Sequence, residues 1–325
     1  MSSSSQENAR GSTHPGFSLM GSLPAPPYCA DEKTMPTSRQ IHVAIALLAV
    51  LGMSACSKGK LPPDAAAASQ AQRYLPGNMM PDSLEILSPP PAQGSEEMAR
   101  DDALRLAALN LRGTPRYALA LADADRGEAS TVKAFECALG TGISAQRTPA
   151  LTRLLAKVRL DVRASAYKAK EHYKRPRPWV ANGAPVCRSS ETTVQNDGSY
   201  PSARGAVGWA YALVLAEVNP SRRDALLHRG RQFGESRVIC DAEWQSDVDA
   251  GNKLAALAVQ RMHQNKLFLA DLASSRQEVA DEIRSGGRAG MDCSLEDRAR
   301  AGDRQFAAAI SAAGKDGDLR HAARR

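Results

Sequence analysis

The chain contains 325 residues, of which 43% are apolar, 24% are charged and only 5% are aromatic. This length is enough for one large domain or two small ones with a buried core, and the composition excludes collagen-like, fully disordered and multispan membrane proteins. The formal net charge of +7 is modest, and basic residues are interleaved with acidic ones, which does not favour nucleic-acid binding. An anionic small molecule is therefore the candidate ligand.

The N-terminal part of the chain has the features of an export signal. The apolar run from Val43 to Leu51 is too short to span a bilayer as a helix, and it follows a basic residue and precedes small ones. The small residues end at Cys56 and resemble the lipobox of bacterial lipoproteins; an ordinary cleavable signal with an incidental cysteine is the alternative. We predict an upstream extension without fold information over 1–34, a lipoprotein-type signal over 35–56, and a lipid-anchored periplasmic location.

Four cysteines remain downstream of the signal: Cys137, Cys187, Cys240 and Cys293. In an oxidising compartment an even number of cysteines favours disulfide bonds, here two bonds with three possible pairings, and free buried thiols are the alternative. No Cys-x-x-Cys pair is present, so neither a zinc site nor a redox motif is indicated.

The mature chain is predicted to be all-α, because it is rich in alanine, poor in aromatic residues and free of alternating strand patterns. Residues 57–95 contain many prolines and alanines, which predicts a tether followed by an extended surface segment. Helical periodicity begins near Glu96, and we predict a single helical domain over 96–285. A polar C-terminal extension follows over 286–325, with one helix opened by Ser294.

The clearest helix is indicated by an apolar stripe with the spacing i, i+3, i+4 and i+7, formed by Leu151, Leu154, Leu155, Val158, Val162 and Ala166. One further turn places Ala169 and Lys170 on the side that should be buried, which is unusual for a lysine without a partner. Prolines at 176 and 178 end this helix, and 181–200 lacks periodicity and is predicted to be a loop.

The remaining helices are predicted from their start signals. Ser202 is the expected N-cap of the first, and Ser221 with Asp224 forms an arrangement like a capping box at the start of the second. The third is expected to begin at about Asp241, and the fourth to cover Lys266 to Arg284.

Three separated segments carry groups suited to binding an anion. Lys170 and Arg177 are seven residues apart, nearly two helical turns, so both can face the same way. Ser202 lies at a predicted helix start, where unpaired N–H groups and the helix dipole favour a phosphate-like group. Arg237 adds a planar guanidinium that can hold two oxygens. Each residue alone is weak support, since exposed Lys and Arg are usually solvated.

Together these segments resemble the signature of the type 2 phosphatidic acid phosphatase superfamily. They read Lys170-x6-Arg177-Pro178, then Gly198-Ser199-Tyr200-Pro201-Ser202, then Ser236-Arg237-x5-Glu243-x3-Asp247. The flanks at 169–175 and 234–240 are similar to the class A bacterial non-specific acid phosphatases, which are exported all-helical enzymes. The resemblance covers about residues 80–265. It implies that fold, a phosphate or small phosphomonoester as the ligand, and no cofactor or metal.

The resemblance also implies roles for single residues. The phosphate would be bound by Lys170, Arg177, Ser202 and Arg237, and Asp247 would orient the nucleophile. In the family one histidine attacks phosphorus and a second protonates the leaving oxygen, and this sequence has Glu243 at the nucleophile position and Arg204 at the acid position. His172 in the flank of the first segment is interpreted as structural rather than as a displaced nucleophile.

These two replacements predict weak or lost hydrolysis. A carboxylate can attack phosphorus, but Glu243 brings negative charge toward an anion, and Arg204 has too high a pKa to act as a general acid. Because the two changes have opposite charge, we predict an ion pair between them across the site. The expected function is that of an exported, acid-phosphatase-like protein; the alternative is a non-catalytic envelope lipoprotein that binds phosphate or another anion.

The acidic residues of the third segment have two other interpretations. Asp241, Glu243, Asp247 and Asp249 can be favourable charges in the first turns of a helix. A metal site is the second, although no histidine or cysteine supports it. The sequence does not determine an oligomeric state.

Overall fold

The computed structural model of this chain describes residues 73–183, 185–194 and 196–323, with side chains up to residue 313. The predicted upstream extension, the signal segment and Cys56 lie outside the described residues. Every regular element in the described part is helical, which confirms the all-α fold class. None of the helices in these ranges combines the length and apolar character needed to cross a bilayer.

The α-helices follow in this order: α1 Ser83–Ile86, α2 Glu96–Leu109, α3 Pro115–Asp123, α4 Glu128–Lys133, α5 Glu136–Leu139, α6 Pro149–Ser165, α7 Tyr167–Tyr173, α8 Pro178–Asn182, α9 Ala203–Val218, α10 Arg223–Ile239, α11 Gln245–Met262, α12 Lys266–Arg284 and α13 Ser294–Ala323. Two 3-10 helices, Ser189–Val194 and Pro220–Arg222, precede α9 and α10.

Helix α9 lies at the centre of the fold and packs against α6, α10, α11 and α12. It is apolar on nearly every side, as expected of a helix surrounded by others. Two glycines permit the close approach of α9 and α10: a Cβ atom at Gly208 would overlap the Phe233 ring, and one at Gly230 would overlap Ala212. The central pair of helices is therefore fixed by small residues facing large ones.

The apolar stripe predicted on α6 faces this core, and its leucines and valines are fully buried. The next turn is the separate helix α7, in which Ala169 and Lys170 are buried as predicted. Lys174 ends α7 in the left-handed conformation, just before the two prolines. The helix phase therefore extends from the core to the lysine of the first segment.

Two of the predicted boundaries need correction. Tyr74 and Leu75, assigned to the tether within 57–95, pack in the main core, and Ser83–Ile86 is helical rather than extended. At the other end, α13 packs on α2 and α3 with Ala299 and Phe306 buried, so this part of the predicted extension over 286–325 belongs to the folded domain. A few apolar residues in polar or proline-rich sequence anchor both ends.

Two predicted helix starts also differ from the structure. Ser202 caps α9 as expected, since its hydroxyl accepts from the Gly205 N–H. The capping box at Ser221 is wrong, because its hydroxyl donates to Asn219 and α10 begins after a 3-10 turn. Helix α11 begins at Gln245 rather than near Asp241, whose φ of 57° turns the chain between the two helices.

The structure joins the four cysteines as Cys137–Cys293 and Cys187–Cys240. The first bond links α5 to the segment before α13. The second links the loop that carries the Ser189–Val194 helix to the C-terminal end of α10, where Arg237 lies. This loop is therefore tied to the third of the sequence segments.

Candidate anion-binding site

Lys170 supplies an ammonium group from the buried face of α7. Its Nζ donates to the carbonyl oxygens of Gly198 and Ser199, the second at 3.3 Å. Burial lowers the pKa of Lys170, and the nearby carboxylates partly oppose this effect. A cavity of about 350 Å³ borders Lys170 and is lined by Arg163, Tyr167, Glu171, Asn196, Asp197 and Ala203. The first segment thus contacts the second directly.

Arg177 is buried and is held mostly by backbone oxygens. Its Nε donates to the carbonyls of Val194 and Asp197 at 3.2 and 3.1 Å, and its Nη1 donates to that of Ala242 at 2.9 Å. The same Nη1 lies 3.4 Å from Glu243 Oε1. These bonds aim the guanidinium at the turn between α10 and α11.

Glu243 lies in that turn and forms the centre of the site. Its Oε2 accepts the Ser202 hydroxyl at 2.5 Å and lies 3.2 Å from Arg237 Nε. Although burial favours the neutral acid, the charges of Arg237, Arg177 and Lys170 hold the pKa of Glu243 at about 2. The four residues expected to bind phosphate therefore surround one carboxylate, which occupies the place of an anion among them.

Glu191 is a second buried carboxylate, and sequence reasoning missed it. It lies on the Ser189–Val194 helix and accepts two hydrogen bonds from Arg237, at 2.8 and 2.9 Å, with Arg126 at 3.4 Å. Burial opposes its ionisation, but the charge of Arg237 lowers the pKa of Glu191 below its usual range. Its segment is polar and has no period, so no sequence signal distinguishes Glu191 from its neighbours.

Asp247 occupies the first turn of α11. Its carboxylate accepts from the Trp244 N–H at 2.8 Å and from Arg175 Nη1 at 2.6 Å, and its backbone oxygen accepts the Ser202 N–H at 2.8 Å. Burial, with a smaller effect from Glu243, raises the pKa of Asp247 to about 6 despite Arg175. Asp247 therefore positions Ser202 and the start of α11.

Arg175 was also missed, although it lies between two residues of the first segment. Its guanidinium joins Asp247 to Asp101 of α2, which is 2.8 Å away, and donates to Ser246 at 2.8 Å. We call Arg175, Asp101 and Asp247 the Arg175 group. Its position inside the Lys170 to Arg177 motif was the available signal, whereas nothing in the sequence indicates Asp101.

The predicted ion pair between Arg204 and Glu243 is wrong. Arg204 Nη2 donates to the carbonyl oxygens of Asp123, at 2.7 Å, and Asp125, and its guanidinium lies over the Phe233 ring. The C-terminal end of α3 presents these carbonyls and attracts a cation. Burial, with repulsion from Arg237, lowers the pKa of Arg204 to about 10.

The acidic residues of the third segment are paired separately rather than gathered around a metal. Asp241 lies 2.6 Å from Arg105, and Asp249 accepts from Gln245 at 2.9 Å. No group of three or more metal-ligating side chains occurs in the described part of the chain. Both the metal interpretation and the placement of Asp241 and Glu243 in the first turn of a helix are therefore corrected.

The histidines with described side chains contact other regions. His172 packs edge-on against Tyr173 with ring centroids 4.7 Å apart. His228 lies 3.9 Å from Asp303, and His263 lies 3.0 Å from Glu217. The groups that surround Glu243 are thus cations and one hydroxyl.

Comparison with known proteins identifies relatives with related sequences. No protein-family model matches the chain. A non-specific acid phosphatase of Providencia stuartii is 39% identical over 209 residues, which is 64% of this chain and 84% of the relative. An acid phosphatase of Zymomonas mobilis is 35% identical over 222 residues, or 67% of this chain and 84% of the relative. A non-specific acid phosphatase of Salmonella typhimurium is 35% identical over 198 residues, or 60% and 79%. The chain therefore belongs to the family of non-specific acid phosphatases.

Proposed function

We propose that this chain binds phosphate or a small phosphomonoester and has lost the hydrolytic step by which the family forms a phospho-histidine. Relatives named acid phosphatases support the ligand class. The observation that carries the proposal is the position of Glu243, whose carboxylate contacts Ser202, Arg177 and Arg237 at the nucleophile position. The proposal includes replacement of both family histidines, by Glu243 and Arg204.

Glu243 is a poor nucleophile in this arrangement. One carboxylate oxygen accepts the Ser202 hydroxyl and both are paired with guanidinium groups, so their lone pairs are engaged. A pKa of about 2 also marks a weakly basic group. The negative charge of Glu243 opposes the approach of a phosphate anion, whereas a neutral imidazole would not.

No general acid replaces the missing one. With a pKa of about 10, Arg204 stays protonated at acidic and neutral pH and has no proton to give to a leaving oxygen. Asp247 has a pKa of about 6, but its oxygens are bound to Arg175 and the Trp244 N–H. Loss of the nucleophile together with the acid removes several orders of magnitude in rate.

Anion binding is favoured by the charge that remains. Around the two buried carboxylates lie five cations, namely Lys170, Arg177, Arg237, Arg204 and Arg126, and Asp197 stands at the exposed rim. The site keeps a net charge of +2, and inclusion of the Arg175 group still leaves +1. Buried charge without a full complement of counterions favours an anion from solution.

The decisive assay compares the mature wild-type chain with the double variant Arg204→His/Glu243→His. We expect no turnover of p-nitrophenyl phosphate near pH 5 to 6 by the wild type and measurable turnover by the double variant. Vanadate or phosphate should raise the wild-type unfolding temperature, and Arg237→Ala should abolish that increase. Wild-type turnover that disappears in Glu243→Gln would instead identify hydrolysis through the carboxylate.

We further propose export, lipidation at Cys56 and a periplasmic location, supported by the signal-like sequence over 35–56. Expression of the full chain in a bacterial host should place the protein in the membrane fraction. Cys56→Ala should prevent incorporation of labelled palmitate and release the protein from that fraction. Cytoplasmic recovery of the full-length chain would contradict this part of the proposal.

A further inference from the structure

Three arginines meet on the side of Arg237 that faces away from Glu243. Glu243 contacts the Nε of Arg237, whereas Glu191 contacts Nη1 and Nη2. Arg126 approaches the same Glu191 carboxylate at 3.4 Å, and the charge of Arg204 is felt by both Arg237 and Glu191. Arg237 therefore holds two separate carboxylates on two of its edges.

Glu191 does not satisfy all of these cations. Arg204 Nε is buried and has no hydrogen-bond partner among the described residues. A carboxylate provides one charge and two oxygens, and both oxygens of Glu191 already accept from Arg237. A further acceptor oxygen and a further negative charge would therefore be stabilised between Arg237, Arg126 and Arg204.

Glu191 is also well placed to leave. It is the one buried residue of the Ser189–Val194 helix, and Ser189, Thr192 and Thr193 are exposed. Withdrawal of its side chain would uncover no apolar core, so the main cost is the loss of its contacts with Arg237 and Arg126. An anion that makes the same contacts would offset that cost.

We propose that Arg126, Arg204 and Arg237 form an oxyanion subsite beside the one filled by Glu243, and that Glu191 occupies it when no ligand is bound. The ligand is a tetrahedral dianion, either inorganic phosphate or the phosphoryl group of a monoester, which displaces the Glu191 side chain. This inference rests on the proposed function, because it names where the anion binds.

A phosphoryl group suits the subsite for two reasons. It carries close to two negative charges at neutral pH and has three acceptor oxygens. Two oxygens would take the places of the Glu191 carboxylate on Arg237, and the third would be available to Arg204 Nε. Arg204, which is not paired with Glu243, thereby acquires a role in binding.

The test measures phosphate affinity by calorimetry on the mature chain with its disulfides intact. Glu191→Gln and Glu243→Gln form a matched pair, because each removes one carboxylate from Arg237. We expect Glu191→Gln to tighten phosphate binding at least tenfold more than Glu243→Gln does, since only the first removes the competitor. Arg126→Ala added to Glu191→Gln should weaken that binding about tenfold.

Arg159→Ala is the control, because Arg159 pairs with Glu128 at the surface and its loss should leave phosphate affinity unchanged. Far-UV circular dichroism and unfolding temperature verify that each variant is folded. If Glu243→Gln tightens binding more than Glu191→Gln, the anion binds at the Glu243 position; this inference is then wrong and the proposed function stands. If neither wild type nor any folded variant binds phosphate, the proposed function itself is wrong. Repetition with a phosphomonoester distinguishes the two sources of the ligand.

Discussion

Two buried groups of charge lie side by side in this domain and have opposite balance. In the Arg175 group one guanidinium serves two carboxylates, those of Asp101 and Asp247. Around Glu243 and Glu191 several cations share two carboxylates, with Arg237 between them. The first group has an excess of negative charge and the second an excess of positive charge.

The pKa values follow this difference. Asp247 in the Arg175 group is raised to about 6 by burial, whereas Glu243, which is also buried, is held at about 2 by the surrounding cations. Burial is common to both, so the local excess of charge decides the direction. A group with more carboxylates than cations can be structural, but a buried excess of cations is suited to an anionic ligand.

The largest effect is expected from breaking the Arg175 group. Arg175→Ala leaves Asp101 and Asp247 buried without their common cation, and removal of one partner from a buried pair typically costs about 3–5 kcal/mol. The free energy of unfolding in urea measures this loss. Arg159→Ala, which removes an exposed pair with Glu128, should cost less than about 1 kcal/mol. Equal losses in the two variants would show that Arg175 contributes no more than a surface residue.

A somewhat smaller effect is expected for the Cys187–Cys240 bond, which closes a 53-residue separation and ties the Glu191 loop to α10. Replacement of both cysteines by serine should lower the free energy of unfolding by about 2–4 kcal/mol, through the freedom gained by the unfolded chain. Phosphate binding should persist, because Arg237 stays fixed by Glu243. Loss of phosphate binding in a folded double-serine variant would show that the loop is needed to assemble the site.

Helix phase and motif spacing predicted the parts of the site that depend on local structure. The stripe on α6 leads through one further turn to the buried Lys170, and Ser202 caps α9, because both depend on neighbouring residues. Lys170, Arg177 and Arg237 meet around Glu243, as the order of the segments predicted.

The contacts that the sequence could not predict join distant parts of the chain. Arg204 turned to the carbonyl end of α3 because those acceptors lie nearby in space, 79 and 81 residues away in sequence. Asp101 and Glu191 belong to segments without a motif, and each is identified only by the arginine it meets. Tyr74 and Phe306 entered the core from proline-rich and polar sequence, where composition concealed them.

Ligand stabilisation provides the third test of the comparison. At about one hundred times its dissociation constant, phosphate should stabilise the wild type by about 2.7 kcal/mol, because it binds only the folded state. Asp101→Asn, which alters the Arg175 group, should retain this increase. Arg237→Ala should lose it, since both carboxylate positions depend on that guanidinium. Loss of the increase in Asp101→Asn would show that the two groups act as one.

The smallest effect is expected in the pH dependence of stability, and its sign differs between the groups. Glu243 has a pKa of about 2 in the folded chain against 4.5 ordinarily, so it stabilises the fold above pH 4.5 and this contribution is lost as the pH falls to about 2. Asp247 has a pKa of about 6 against 3.8, so its ionised form destabilises the fold above pH 6, and protonation relieves this as the pH falls to 3.8. Urea unfolding as a function of pH should therefore become flatter between 4.5 and 2 in Glu243→Gln and between 6 and 3.8 in Asp247→Asn. If the two variants change the same pH range, the opposite charge balance of the groups is refuted.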